Sequence, residues 1–347
     1  IAEQLWGESK VWFDKDGRSF VTINSFMPKL NVSFYQRIKN LFSFFFHSNI
    51  LLYNLRSSGV AVVNAHFPTK GLFMLCLLKC FRLWNGKIIL SFHGADVDDV
   101  QLDDRVWKFI FDTSNGISVC SCALKEKLLE RIGENNFPVD VVHNGIDSKA
   151  FNNLGDIPVY DFGSEVIGDY IVCLANFVET KGQNYLIEAF HKIHLKYPNL
   201  TLVLAGGRDN GEWAHFLDKR CIELQIRDRV KFIFDVPYEY VPGLLKGAKA
   251  LVLSSKYESF GLVVGEAGLA ETPVVAFDVG GIPEIIPSDE YGILVAVGDV
   301  LALSNAIEKT IVSSVESINT AVNLRKRIIN KFSCEAMCER YLSLFRL

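Results

Sequence analysis

Short apolar runs rich in β-branched residues alternate with helix-like segments along most of the chain. In the first half the strands predicted from these runs span residues 60–64, 87–92, 116–120 and 139–142, and the predicted helices span residues 69–84 and 121–132. Ser121 is a suitable N-cap for the second of these helices, because a serine hydroxyl can accept a bond from a first-turn amide. Alternation of this kind is typical of parallel βαβ units.

The pattern pauses at residues 151–169, which show no clear period and which we interpret as an inter-domain connection. Beyond this segment the predicted strands span residues 170–174, 200–205, 230–234, 250–253, 272–277 and 292–295, and the predicted helices span residues 183–197, 213–224, 263–270 and 334–345. Two successive halves of this kind predict an α/β protein of two doubly wound, Rossmann-like domains. Ligands of open α/β sheets bind outside the carboxyl ends of the strands, so we expect the site in a cleft between the domains.

Composition agrees with a folded two-domain protein. The chain has 347 residues, of which 49% are hydrophobic and 22% charged, so it can bury large cores. Its formal net charge of −4 argues against a nucleic-acid partner. Its 8 cysteines are scattered, and Cys120 and Cys122 stand too close together for a CxxC metal or redox pair. Reduced thiols and a cytoplasmic location are the simplest interpretation.

The N-terminal part of the chain has an uneven charge. No acidic residue stands between Asp16 and Asp96, whereas nine basic residues lie in that stretch among many Phe, Leu and Tyr. Basic, aromatic-rich segments suit an anionic membrane surface, although a merely solvated basic face is an equal alternative. No apolar run reaches the length of a spanning helix and no signal peptide is visible, so we expect peripheral attachment at the cytoplasmic face.

Two glutamates define a candidate ligand site in the second half. Glu258 follows the strand 250–253, and Glu266 lies on the helix that begins near Leu262. Gly261 between them allows close approach of a phosphate to the backbone, and the first amides of a helix bind anions. A carboxylate one turn into that helix can accept both hydroxyls of a ribose. Taken alone, the spacing favours two surface glutamates that flank a turn.

An ordered set of motifs makes the interpretation specific. They are residues 254–267 (SSKYESFGLVVGEA), 272–276 (TPVVA), 280–284 (GGIPE), 204–207 (LAGG), 142–147 (VHNGID), Lys181-Gly182 before the helix with YLIEAF, and Phe332-Ser333 before the last helix. Together they resemble the family 4 glycosyltransferases, the glycosyl transferases group 1, which have the GT-B fold. The resemblance covers most of the chain from about Val60 onward.

The resemblance implies a role for each matching position. Glu258 would contact the transferred sugar, Lys181 would neutralise the diphosphate of the donor, and Glu266 would bind its ribose. His93, in the segment SFHGAD, would face the donor sugar from the first domain. A lone histidine after a strand is more often a structural residue, but the neighbouring motifs favour the functional role. The remaining donor-binding positions that the resemblance implies are Phe260, Gly261, Leu262, Asn144, Gly207 and, by position only, Val236 at the base.

The chain departs from the family pattern at two places. Family members carry a diphosphate-binding Arg where this chain has Asn176, and Arg208 is a candidate substitute. They also begin with a strand and a glycine-rich loop that faces the diphosphate. No such loop precedes Val60, and residues 1–26 fit peripheral strands, so we expect the chain to lack its native N-terminus.

The resemblance also implies the domain limits and the chemistry. Residues 1–155 would form the acceptor domain, 156–331 the nucleotide-sugar domain, and 332–347 a helix that crosses back. The expected reaction moves a hexose-type sugar, with retention, from a UDP- or GDP-sugar to a glycan or lipid-linked acceptor in cell-surface polysaccharide synthesis. We expect no cofactor and no metal, since the Asp96–Asp99 motif lies in the first domain. The alternatives are a nucleotide-sugar epimerase and an inactive sugar-nucleotide-binding homologue.

Overall fold

The buried β-branched runs form two parallel sheets in the computed structural model, which describes residues 11–13, 19–21, 34–133, 137–152, 168–207 and 211–346. Two compact units result. The first comprises residues 1–119, 125–141 and 342–347, and the second comprises residues 120–124 and 142–341. The expected domain limit at residues 155 and 156 lies outside the described residues.

The first unit is built on a four-stranded sheet. Its elements are β1 (Val11–Phe13), β2 (Ser19–Val21), α1 (Phe34–Ser57), β3 (Val62–His66), α2 (Phe73–Cys80), β4 (Lys87–Phe92), α3 (Arg105–Thr113), β5 (Gly116–Val119), α4 (Cys122–Ile132) and β6 (Val139–Val141). The sheet order is β3-β4-β5-β6 and all pairings are parallel, whereas β1 and β2 form a separate antiparallel pair. The central strand β4 is buried on both faces, as parallel strands between helices are.

The second unit is built on a six-stranded parallel sheet. Its elements are β7 (Tyr170–Leu174), α5 (Gln183–Ile193), β8 (Thr201–Gly206), α6 (Glu212–Glu223), β9 (Val230–Phe234), α7 (Val241–Lys246), β10 (Ala250–Leu253), α8 (Leu262–Leu269), β11 (Val274–Phe277), α9 (Ile282–Ile285), β12 (Ile293–Val295), α10 (Val300–Val312), α11 (Ser314–Lys331) and α12 (Cys334–Arg346). The strand order is β12-β11-β10-β7-β8-β9. The chain therefore reverses its direction of winding between β7 and β10, and the loops that follow these two strands border the crevice.

Most predicted elements are confirmed, and four strands (β4, β7, β9 and β10) have the predicted limits. The Ser121 cap is also confirmed, because its hydroxyl accepts a bond of 3.1 Å from the Leu124 amide. The predicted helix 69–84 is shorter than expected, since it opens with a 3-10 turn and α2 ends at Cys80. Arg82 has a φ of +56°, which ends the helix and lets the Trp84 indole donate to the Val60 carbonyl.

The helices that the pattern did not predict are α1, α3, α7, α9, α10 and α11. In α1 the aromatic run at residues 44–46 obscures a helical period, although Leu51 and Leu55 are buried one turn apart. In α7 a proline and a glycine within six residues favour a turn. Within the described residues, we find no helix with the length and apolar character needed to cross a bilayer.

Candidate active site

The loops that follow β7 and β10 are joined by backbone contacts. The Lys256 amide donates to the Thr180 carbonyl over 2.8 Å. Gly182 has a φ of +58°, and a Cβ at that position would lie 2.1 Å from the Ser254 carbonyl oxygen. Only glycine therefore allows the two loops to pack this closely.

Lys181 and Glu258 meet at this junction. The Lys181 ammonium lies 2.6 Å from Oε1 of Glu258, and the two side chains are 24% and 12% exposed. The Ser255 hydroxyl donates to the same carboxylate oxygen over 2.8 Å. The sequence assigned Lys181 and Glu258 to one site, and the structure brings them into direct contact.

Two glycines hold the Glu258 backbone in place. The Gly281 amide donates to the Glu258 carbonyl over 3.1 Å. Gly280 has a φ of +56°, and a Cβ there would lie 1.7 Å from the same carbonyl oxygen. The Gly-Gly pair of the 280–284 motif thus lets the turn before α9 pack on the segment that carries Glu258.

The start of α8 lies directly after Glu258. Gly261 is the N-cap residue and has a φ of +97°, while Leu262 is 47% exposed. Phe260 is buried and its ring packs near the rings of His143 and Phe332, so only its backbone is available to a ligand. The amides of Leu262 and Val263 precede any carbonyl of α8 to which they could donate, whereas the Val264 amide donates to the Gly261 carbonyl over 3.0 Å. The first two amides make this end suitable for an anion.

Glu266 lies on the second turn of α8 and is half-buried. Burial raises the pKa of its carboxyl to about 7, while a hydrogen bond from the Tyr238 hydroxyl acts in the opposite direction. Tyr238 belongs to the 3-10 turn after β9 and is 52% exposed. Glu266 is therefore a carboxyl that changes charge near neutral pH and already accepts one hydroxyl.

The turn at Asn144 lies beside α8. Ile146, two residues further on, is buried, and a Cβ on Gly265 would lie 1.8 Å from its Cδ1. The absence of a side chain at Gly265 thus brings this turn close to the helix that carries Glu266. Asn144 itself is half-buried.

The loops after β7, β8 and β9 place three further predicted positions. Asn176 is exposed, and its Oδ1 would lie 2.9 Å from a Cβ on Gly207. The Phe177 amide donates to the Gly207 carbonyl over 2.9 Å, so these two loops also touch. Val236 is half-buried after β9, and Arg208 lies outside the described residues.

In the first unit, His93 follows β4 and is half-buried. Its amide and that of Gly94 donate to the Asp96 carboxylate, which fixes the turn. Its Nε2 lies 2.8 Å from Nδ1 of His66, at the end of β3. Among the acids of the Asp96–Asp99 motif, Asp96 thus holds the backbone, and Asp98 pairs with Lys127 and Arg131.

One cluster in the second unit has groups suited to a metal ion. Ligand atoms of Cys122, His143 and Glu284 all lie within 4.8 Å of one another. Glu284 accepts bonds from the amides of Cys122 and Ala123, and its other oxygen lies 2.8 Å from His143 Nε2. Burial raises the pKa of Glu284, but these bonds outweigh it and leave the pKa below the usual value. The carboxylate thus already caps the first turn of α4, together with the Ser121 hydroxyl.

The sequence did not single out Ser255, Tyr238 or His66. Ser255 stands three residues before Glu258, a spacing that allows a turn to bring both together. Tyr238 lies shortly after a predicted strand, where ligand-binding loops begin. This position is the sequence signal that could have indicated it. Identifying His66 as a neighbour of His93 requires the register of β3 against β4, which the hydrophobic period of the sequence does not give.

Two family models match the chain. The model described as Glycosyltransferase Family 4 matches residues 16–150, and the model described as Glycosyl transferases group 1 matches residues 164–331. An uncharacterized glycosyltransferase of Methanocaldococcus jannaschii is 29% identical over 81% of this chain and 73% of its own length. Glycogen synthase of Mycobacterium tuberculosis is 25% identical over 65% of this chain, and the match spans only about half of that protein, 52%.

Solved structures show the same fold. An Anabaena protein crystallised in complex with UDP has a TM-score of 0.71 and 21% identity, over 86% of this chain and 81% of its own. Such a likeness shows the architecture alone. The two parallel sheets with their helices form an α/β fold of the GT-B type, as the sequence predicted.

Proposed function

The chain belongs to the group 1 glycosyltransferases of family 4, and we propose that it transfers a hexose-type sugar, with retention, from a nucleotide diphosphate sugar to a glycan or lipid-linked acceptor. The single observation that carries this proposal is the contact of Lys181 with Glu258 at the switch point of the second sheet, directly before the start of α8. It combines a cation for a diphosphate, a carboxylate for sugar hydroxyls and a helix start for an anion.

The donor would occupy the loops at the carboxyl ends of β7 to β10. Lys181 and the first amides of α8 would hold the diphosphate, and Glu258 the hydroxyls of the transferred sugar. Glu266 would accept the ribose hydroxyls in place of the Tyr238 hydroxyl. Asn176 and Gly207 would border the diphosphate, and Val236 the base.

The nucleotide would be UDP or GDP. The Anabaena protein of the same fold was crystallised in complex with UDP, so UDP-sugars are the first donors to test. The base-contacting segment near Val236 would decide between the two.

Retention would follow from attack on the face that the leaving group departs from. The bond from C1 to the β-phosphate oxygen breaks, the acceptor oxygen bonds to C1 on the same face, and the acceptor proton passes to the departing phosphate. Lys181 and the α8 amides would stabilise the charge that develops on that phosphate. Glu258, already bound to an ammonium and a hydroxyl, suits binding better than nucleophilic attack.

Metal independence is part of the proposal, because Lys181 and the helix start supply positive charge where a metal would. A chelator that abolishes transfer, with recovery on adding Mn²⁺, would contradict it. His93 would contact the donor sugar, and the first unit would bind the acceptor.

Membrane attachment is a further part of the proposal. Exposed aromatic side chains lie on α1 and after α2, namely Phe46 (64%), Tyr53 (72%) and Phe81 (70%). Four basic residues of the acid-free stretch form hydrogen bonds within the first unit. Arg56 donates to the Leu83 carbonyl, and Lys87 donates to the Phe345 carbonyl. Lys70 donates to Asp104, and Lys79 donates to Asn115. The aromatic side chains would therefore contribute more to attachment at a cytoplasmic membrane face than these four basic side chains.

A screen of UDP- and GDP-sugars tests the function. A true donor at about 100 times its dissociation constant should stabilise the fold by about 2.7 kcal/mol, seen as a raised melting temperature. Lys181→Met should lose this stabilisation, whereas Lys256→Met, which removes an exposed lysine paired with Glu179, should keep it.

Incubation of the stabilising donor with and without acceptor separates the alternatives. Sugar transferred to the acceptor with retained anomeric configuration supports the proposal. Conversion of the donor without acceptor would indicate an epimerase, and donor binding without turnover would indicate an inactive homologue.

A further inference from the structure

A line of hydrogen bonds crosses three strands of the first sheet and ends on His93. Ser118 of β5 and Ser91 of β4 lie 2.7 Å apart at their hydroxyl oxygens, and the Ser91 hydroxyl donates to Oδ1 of Asn64 over 2.7 Å. Nδ2 of Asn64 lies 3.1 Å from Nε2 of His66, whose Nδ1 lies 2.8 Å from Nε2 of His93. The parallel register sets this line, because Ser91 stands beside His66 on one side and beside Ser118 on the other.

The chemistry of Asn64 gives the line a direction. Its carbonyl oxygen only accepts and is used by Ser91, so its amide nitrogen, which only donates, faces His66. Nε2 of His66 is then an acceptor, and the proton of the neutral ring is on Nδ1. That proton is donated to Nε2 of His93, so the proton of the neutral His93 ring is on its own Nδ1.

This arrangement favours the neutral form of the His66 ring. The pKa of His66 lies below its usual value because protein displaces water from part of the ring, although the residue keeps an exposed face. A second proton on His66 would point at the Asn64 amide hydrogens. A second proton on His93 would point at the Nδ1 proton of His66.

The surroundings of His93 restrict its orientation as well. The centroids of the His66 and His93 rings lie 5.0 Å apart with 22° between the ring planes, and the Phe67 ring packs 4.7 Å from His93. Phe67 has a φ of +52°, a region that a bulky residue occupies only under strain. Strain of this kind is found at functional sites, where the surrounding structure enforces one geometry.

We infer that His66 and Asn64 are positioning residues that fix the tautomer of His93, with Nε2 as acceptor and the proton on Nδ1. In this tautomer the His93 ring carries a hydrogen-bond donor at Nδ1, and that atom cannot take up a proton. The contact with sugar rests on the proposed function, whereas the tautomer rests on the contacts within the first unit.

Nitrogen-15 NMR of the histidine rings in the full chain tests the tautomer without any substrate. We expect His93 and His66 to have the proton on Nδ1 and the unprotonated nitrogen at Nε2. In His66→Gln the amide oxygen can accept from Asn64 and the amide nitrogen can donate to His93, so His93 should keep its tautomer. His66→Leu, which removes the donor, should give a mixture of His93 tautomers.

Asn64→Asp should reverse the direction of the hydrogen bond between residue 64 and His66, and it hardly changes the size of the side chain. A carboxylate accepts from both Ser91 and His66, which places a proton on Nε2 of His66 and shifts the His93 signals. His194→Gln, at the residue that follows α5 in the second unit, is the control and should leave them unchanged. A wild-type His93 with its proton on Nε2, or His93 signals that are the same in all variants, would overturn the inference.

Kinetics test the positioning role separately. His66→Leu should lower kcat by about 10- to 100-fold with little change in the KM of the donor, by analogy with the loss found when the hydrogen bond that orients a metal-ligating histidine is removed. His66→Gln should recover most of this loss, which a role in packing alone would not produce. An inactive wild-type chain would contradict the proposed function and leave the NMR result decisive for the tautomer.

Discussion

Lys181 and Glu258 stand 77 positions apart in the chain, and their side chains form a hydrogen-bonded ion pair of 2.6 Å between Nζ and Oε1. The contact exists because β7 and β10 are neighbours in the sheet, so that the loops after both strands leave it at one place. Without a donor the two charges neutralise each other. A bound diphosphate sugar would contact both side chains, its diphosphate at Lys181 and its sugar at Glu258. The ion pair holds both side chains in position before the donor binds.

The ion pair should have a measurable coupling energy. Lys181→Met and Glu258→Gln each leave a mostly buried charge without its counter-charge. The two single destabilisations should therefore add up to more than the destabilisation of the double variant. We expect a coupling of about 1–3 kcal/mol from a double-mutant cycle of denaturant unfolding.

The exposed pair of Lys256 and Glu179 is the matched control for this cycle. Its side chains are 36% and 69% exposed, so solvent screens the charges and the coupling should stay below about 1 kcal/mol. Equal coupling in the two pairs would show that the position of Lys181 and Glu258 at the switch point has no special energetic role.

The carboxyl of Glu266 should make stability depend on pH. Its pKa is about 7 in the folded chain, whereas an ordinary glutamate, as in the unfolded chain, has a pKa of 4.5. Between these two pH values the unfolded chain has lost the proton and the folded chain still holds it. Stability should therefore fall as pH rises from about 4.5 to 7, by up to roughly 3 kcal/mol, and then level off. Glu266→Gln, which has no charge to bury, should remove this part of the pH profile in denaturant titrations.

The same carboxyl should make nucleotide binding depend on pH in the opposite direction. A ribose donates its hydroxyls to a carboxylate, so binding requires the charged form and should weaken about tenfold between pH 8 and pH 6. The terminal phosphate of the nucleotide titrates in the same range, and the Glu266→Gln variant serves to subtract its contribution. Calorimetry at several pH values would contradict the role of Glu266 if the wild-type and variant profiles had the same shape.

Much of the fold follows from the sequence, for identifiable reasons. The strands β4, β7, β9 and β10 are mostly apolar runs that each begin after a polar residue or a glycine, and their limits were predicted without error. The helix α1 was not predicted, because its aromatic run has no clear period and its stability comes from packing. Propensity and pattern give the elements that the core dictates, and tertiary contacts decide the others.

The site was predicted in part, and the missing part depends on register. Lys181, Glu258 and Glu266 could be assigned because loops after parallel strands collect at one sheet edge. The bond from Tyr238 to Glu266 and the line from Asn64 to His93 depend on which residues face each other across strands and loops. No periodicity reports that relationship, so the neighbours of the predicted residues came only from the structure.

Gly280 should tolerate no side chain. An added Cβ would lie 1.7 Å from the Glu258 carbonyl oxygen at a φ of +56°, so the backbone that carries Glu258 would have to move. We expect Gly280→Ala to destabilise the fold by about 2–4 kcal/mol through this clash and the unfavourable dihedral. Transfer activity measured on the remaining folded protein should fall by about 100-fold, since displacement of a binding group by 1 Å has that effect.

Gly59 offers the matched control for this substitution. It has a φ of +58°, and an added Cβ would have no neighbour within 4 Å. Gly59→Ala should therefore show only the dihedral penalty, about 1–2 kcal/mol, and full activity of the folded fraction. Similar losses in the two variants would mean that packing against Glu258 is not what requires glycine at position 280.

The exposed aromatic side chains of the first unit should decide attachment to membranes. Phe46 and Tyr53 stand seven positions apart on α1, so they lie on one face of the helix, opposite the buried Leu51. Sedimentation with vesicles of phosphatidylserine and phosphatidylcholine at low salt should show binding of the wild-type chain. Phe46→Ser with Tyr53→Ser should weaken it by about tenfold or more, since each ring gives up about 1 kcal/mol or more of apolar burial.

Leu195→Ser in the second unit removes an equally exposed apolar side chain (84%) and should leave vesicle binding unchanged. Loss of binding at high salt with no effect of the aromatic substitutions would assign attachment to charge alone. Equal sedimentation with and without phosphatidylserine would argue instead for the aromatic face. No sedimentation at low salt would contradict the membrane part of the proposed function and direct the search for the acceptor toward free glycans.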